Sequence, residues 1–147
     1  MKITDAFIAE HAVIYAQLDY LEHAIPASRT LGEVKVMAGI LEAALKPHAE
    51  AEDDLLFNGL EPGLDQMGML EKIQHEHDAI CKGLEHVRTA RTRKDAQRWL
   101  LNIVHLTRKE FDLEDRIIFR MAEELLREDT LMKLGKSWAR RRSVPSR

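Results

Sequence analysis

Two pairs of residues stand four apart and could share a metal ion: His48 with Glu52, and Glu110 with Glu114. On a helix each pair projects from one face with Cβ atoms about 5–6 Å apart, so both side chains can act on the same centre. His11 and His77 each offer a single imidazole. Together the six supply three borderline nitrogen donors and three hard oxygen donors, a mixture that suits iron, with manganese or zinc as substitutes. Each four-residue pair has the reach for two ions, and three or four protein ligands per ion leave open positions for water or a small molecule. The lone Cys81 provides no thiolate cluster for a structural zinc site.

Apolar periodicity places these donors inside. Phe7, Ile14, Leu18, Leu21 and Ile25 recur at alternating three- and four-residue intervals only when His11 is counted with them. Leu70, Ile73, Ile80, Leu84 and Val87 do so only with His77. A second seam runs through Val34, Met37, Leu41 and Leu45 into His48, Glu52 and Leu55, and the last through Trp99, Ile103, Leu106, Glu110, Leu113 with Glu114, Ile117 and Met121. Of the seven histidines, His23, His75, His86 and His105 fall between seam positions and are expected at the surface. A single core histidine is most often a hydrogen-bonded structural residue. Six polar seam residues on four helices ask for more, because three carboxylates buried charged and unpaired would each cost several kcal/mol. No Lys or Arg occupies a matching seam position, whereas a pair of divalent cations would neutralise them.

Four long segments must carry the seams. The first runs from a cap at Thr4 or Asp5 to about His23, before Pro26 and Ser28; the second from Thr30 to about Phe57. Asn58-Gly59 and Pro62-Gly63 are the clearest turn signal, after which a third segment spans about 64–89 and a fourth about 94–127. Helices of this length are rods of ~30–45 Å, and short connections make neighbours antiparallel, so the expected fold is all-α, an up-down-up-down four-helix bundle. Pro47 should kink the second rod just before His48. The bundle occupies residues 1–128, and 129–147 form a short helix and a basic tail.

Composition bounds the rest. The 147 residues make one domain, and 32% charge with seven glycines and four prolines is far from disorder. A net charge of −3 creates no field that would draw nucleic acid. The single cysteine excludes an intramolecular disulfide, and neither a signal peptide nor a run of 18 apolar residues is present, so a cytoplasmic, membrane-free protein is expected.

Glu10-His11, His48-Ala-Glu-Ala-Glu52-Asp-Asp-Leu-Leu-Phe57 and Glu76-His77-Asp-Ala-Ile80 resemble the first three helices of the hemerythrin-like, His-His-Glu cation-binding domains over about residues 1–127. That resemblance implies a four-helix bundle around a carboxylate-bridged di-iron centre of the oxo- or hydroxo-bridged type, with a second His-x3-Glu box on the last helix. Here the matching segment is Glu110-Phe-Asp-Leu-Glu114-Asp-Arg-Ile-Ile-Phe119, with Glu110 where the family usually has His. His48 to Phe57 and Glu110 to Phe119 span the same interval, which supports the register. A rival register uses His105, five residues before Glu110 as in the oxygen carriers, although an i to i+5 pair diverges by ~140° on a regular helix. The carriers' His-x3-His on the third helix is also missing, with Ile73 ahead of His77. Reversible oxygen carriage is thereby disfavoured.

The leading functional expectation is a non-haem di-iron protein that binds, reduces or responds to dioxygen, peroxide or nitric oxide. Iron sensing or storage is one alternative, and an interaction module with a structural metal is another. Tyr15 and Cys81 are read first as packing residues, and Arg140, Arg141, Arg142 and Arg147 as a solvated end that could instead meet an acidic partner or phosphate.

Overall fold

The computed structural model describes residues 1–143, and they are all-helical, without a strand among them. Helix α1 spans Ile3–Ala27, α2 Leu31–Glu52, α3 Asn58–Gln66, α4 Met69–Thr89, α5 Arg93–Leu113, α6 Phe119–Leu125 and α7 Glu128–Arg142. Wider π turns, Asp53–Phe57 and Glu114–Ile118, join α2 to α3 and α5 to α6 without breaking the rods. Among the described residues no helix is long and apolar enough to cross a membrane. Arg147 of the basic tail lies outside the described residues.

Two helix starts follow threonine capping: the Thr30 hydroxyl accepts from the Glu33 amide at 3.1 Å and that of Thr92 from Asp95 at 3.2 Å. The first helix departs from that rule. It begins after Lys2 with no side-chain cap, and the buried Thr4 donates instead to Glu123 at 2.8 Å, tying α1 to α6. Pro26 sits inside the last turn of α1.

The strongest turn signal is misplaced. Asn58, Gly59, Pro62 and Gly63 all lie within α3, and the chain reverses at Met67-Gly68, where Gly68 has φ 70° and takes the left-handed conformation. Burial overrides local preference here, because continuing the helix seats Leu60 and Leu64 in the core at 2% and 0% exposure. The π turns explain a second departure. Each inserts a residue into the helical repeat, so the buried face moves on by one position. Leu56 and Ile118 are buried, while the expected seam residues Leu55 and Ile117 are half-buried and exposed.

Helix α1 packs on α2, α5 and α7, and α4 packs on α2, α3 and α5. The core divides in two. Ile14, Leu18, Leu41, Leu84 and Leu100 belong to one apolar cluster; Phe7, Leu56, Leu64, Ile118 and Leu131 belong to the other. His11 and His48 each lie on a seam between residues of the two clusters. A Cβ at Gly135 would collide with the Met1 carbonyl, so glycine lets α7 close onto the start of α1.

Candidate metal centre

Four helices and a π turn bring the six seam donors together. His11 comes from α1, His48 and Glu52 from α2, His77 from α4, Glu110 from α5, and Glu114 from the first position of the second π turn. Donor atoms of His11, His48, Glu52 and Glu114 lie within 4.8 Å of one another, as do those of His77, Glu110 and Glu114. Glu114 belongs to both groups. Nε2 of His11 is 3.0 Å from Nε2 of His48, 3.1 Å from Oε1 of Glu52 and 3.2 Å from Oε1 of Glu114. His48 Nε2 stands 2.9 Å from Glu52, and His77 Nε2 lies against Oε1 of Glu110.

Both deeply buried imidazoles are held from behind. His11 Nδ1 donates to Asp115 and His48 Nδ1 to Glu10, each at 2.8 Å, which turns the Nε2 atoms of both rings inward. Phe111 stacks on the His11 ring at 3.8 Å between centroids, and Phe7 and Phe119 close the other sides. Neither oxygen of Glu114 receives a hydrogen bond, nor does His77 Nε2. Lone pairs thus converge in a largely buried space with no Lys or Arg among them. Such a donor set fits transition-metal cations, which would satisfy the orphaned oxygens and separate the two facing Nε2 atoms.

Without metal, protons take that place. Burial opposes charge on His11, yet the hydrogen bond to Asp115 and the adjacent carboxylates of Glu114 and Glu52 outweigh it and push the imidazole up to about 11. His77 rises to about 9 against its own desolvation because Glu110 faces it, and His48 is raised by Glu52 and Glu10. Burial and the neighbouring Glu52 push Glu114 well above the carboxylate range, and burial raises Glu110. Glu52 moves the other way despite burial, held low by His48 and His11.

One flank is open. His77 keeps 21% of its side chain exposed, against 1% and 3% for His11 and His48. It faces a cavity of about 680 Å³ between α2, α3, α4 and α5, whose walls include Leu45, Phe57, Ile73 and Leu84 and whose floor reaches Glu52 and Glu110.

The four off-seam histidines are all exposed, His86 stacking on Trp99 at 4.1 Å. His105 therefore stands away from the cluster that Glu110 and Glu114 join. Cys81 is exposed on the cavity wall, a correction to its reading as a buried hydrophobe, since α4 leaves that edge uncovered. Tyr15 sets its ring edgewise 6.5 Å from His11, and burial with Asp115 and Asp112 pushes its phenol up to about 12. The basic end of α7 is no free tail: Arg141 pairs with Asp54 at 2.7 Å and Arg142 with Glu10 at 2.6 Å. Glu10, Asp115, Phe111, Trp138 and Arg142 were not singled out by spacing. Contacts of this kind cross between rods and leave no periodic trace, though Glu10 and Asp115 each adjoin a seam donor.

A helical fold that gathers three imidazoles, two of them buried, and three buried carboxylates around a common centre defines a cation-binding helical domain. The Hemerythrin HHE cation binding domain model matches residues 2–123, and the chain belongs to that family. No curated protein and no solved structure matches the chain significantly.

Proposed function

We propose that the chain is a cytoplasmic non-haem iron protein that holds two ions through His11, His48, Glu52, His77, Glu110 and Glu114 and binds, reduces or responds to dioxygen, peroxide or nitric oxide. The rods α1, α2–α3, α4 and α5–α6 form its up-down-up-down antiparallel bundle, and α7 is an extension. One observation carries the reading: the two donor groups meet at Glu114, whose two buried oxygens lack any hydrogen bond, which supports a carboxylate shared by two ions.

A bound iron pair supplies electrons through its ferrous and ferric states and open positions for a small oxidant. Glu10 and Asp115 fix the His48 and His11 rings so that Nε2 stays inward. The ring of Phe111 keeps water from the inner group, while the cavity beside His77 gives a small molecule its approach. Glu110, where the family usually has His, adds negative charge that favours the oxidised ions and so irreversible oxidation over carriage. The partner is a small ligand, with neither nucleic acid nor membrane required.

Visible absorption of the ferrous-loaded protein tests this when it is challenged in turn with oxygen, peroxide and nitric oxide. Oxidation or turnover supports the proposal, a reversible oxygen band means carriage, and iron inert to all three means sensing, storage or structure.

A further inference from the structure

Helix α7 lies beyond the residues matched to the family, yet it reaches the metal centre. Its last turns close on Glu10, the carboxylate that holds His48. Oε1 of Glu10 accepts from His48 Nδ1 at 2.8 Å and from Arg142 Nη2 at 3.2 Å; Oε2 accepts from Arg142 Nε at 2.6 Å and from Trp138 Nε1 at 2.9 Å. The same Arg142 Nη2 donates to the Pro47 carbonyl at 3.1 Å, so one guanidinium grips both the side chain behind His48 and the backbone just before it. Its planar fork makes that double contact, which an ammonium cannot copy in full.

The grip is anchored and one-sided. Leu131 is 2% exposed, and Leu134 and Trp138 pack against the same apolar cluster as Phe7 and Leu56, while Arg141 pairs with Asp54 in the π turn after Glu52. Asp115, which holds His11, comes from the rod that carries Glu114, and α7 makes no hydrogen bond to it among the described residues. Among the described residues, hydrogen bonds from α7 thus reach, through Glu10, one of the two buried histidines.

We infer that α7 is a clamp on the metal centre in which Arg142 and Trp138 are positioning residues: by fixing Glu10 they set the orientation of His48 and the tightness of the ion it holds. The inference rests on His48 being an iron ligand, as proposed above. A fixed carboxylate behind an imidazole keeps its inner nitrogen aimed and basic; a loosened one lets the ring swing.

The test is chelator competition and visible absorption of the full chain loaded with iron, for Arg142→Ala, Arg142→Lys, Trp138→Phe and the exposed Arg140→Ala, with helicity checked by circular dichroism. Loss of the outer partner of a ligating histidine, here Glu10, weakens metal affinity about 10–100-fold. Arg142→Ala, which loosens that partner without removing it, should therefore release one of two ions at about tenfold lower chelator and shift the visible band. Arg142→Lys, which keeps the charge, should recover most of the loss. Trp138→Phe keeps the packing but deletes one donor and should show a smaller shift of the same kind, while Arg140→Ala should match the unmutated chain. Two irons held with unmutated affinity and spectrum in both Arg142→Ala and Trp138→Phe would overturn the clamp alone. Absence of iron from the unmutated chain would overturn it together with the proposed function. If Arg142→Ala does not fold, Trp138→Phe decides, and an unchanged ion affinity there counts against the clamp.

Discussion

Glu114→Gln is the most revealing single perturbation of the centre. The side chain is fully buried, neither oxygen has a donor, and burial beside Glu52 raises its carboxyl well above the usual carboxylate range. An amide of the same shape carries no charge that burial would oppose, so the metal-free fold should lose little. In the loaded protein it removes the one carboxylate common to both donor groups. Metal that binds only the folded state adds about 2.7 kcal/mol at a hundredfold excess over Kd. For a chain of this size each kcal/mol moves Tm by about 2–4 °C, so unmutated protein should melt about 5–11 °C higher with iron than without. Glu114→Gln should shrink that gap to less than half while leaving the metal-free Tm within about 2 °C of the unmutated value. Differential scanning calorimetry with and without chelator reads both numbers. An unmutated chain indifferent to chelation, or a variant with the full gap, refutes the reasoning.

Elemental analysis of iron-loaded chains should give two ions each; Glu110→Ala should lose at least one, and His105→Ala should keep both with an unaltered spectrum, the reverse pattern showing that His105 is the ligand. Metal-free Tm should fall as pH rises above about 6.5, because His11 and His77, raised to about 11 and about 9, retain protons in the folded state that the unfolded chain has released. Iron displaces those protons, so the stability gained from iron should widen between pH 6.5 and 9, and melting curves showing a constant or shrinking gap would contradict this. Gly83→Ala places a Cβ 2.8 Å from the Ile103 side chain, itself fully buried, and should cost about 1–3 kcal/mol by urea titration while the iron content of the folded fraction stays the same.

Much of the site was readable because a donor that replaces an apolar residue keeps the helical period. His11 completes the interval between Phe7 and Ile14, and His77 that between Ile73 and Ile80, so counting alone sent both inward and the four other histidines outward. The same logic failed where the period itself changes. Nothing in Asp53–Phe57 or Glu114–Ile118 announces a π turn, and the phase slip that buries Ile118 in place of Ile117 follows only from the backbone. Asn58-Gly59 and Pro62-Gly63 misled for a different reason: their preference for turns is worth less than the burial of Leu60 and Leu64. Arg142 reads from the sequence as part of a solvated basic end, because a residue 132 positions from Glu10 has no spacing rule to tie it there.

The placement of the two π turns bears on why this bundle holds its donors so close. Each turn begins at or just after the second residue of a four-apart pair, Glu52 in one rod and Glu114 in the other. A regular helix would return the next inward position to the core after three or four residues, directly beneath the carboxylate. Widening the turn moves the buried positions from three and four residues on to four and five, at Leu56 and Phe57 on one rod and Ile118 and Phe119 on the other. Leu56, Ile118 and Phe119 then back the centre with apolar surface on the side away from the cavity, with Phe119 stacked 6.0 Å from Phe7 and tilted against His11. Apolar backing lowers the local dielectric, which strengthens any cation's hold on Glu52 and Glu114 and makes their exposure to one another without a cation more costly. The wide turns and the buried carboxylates therefore belong to one device: the backbone departs from the regular helix where the side chains most need a dry wall behind them.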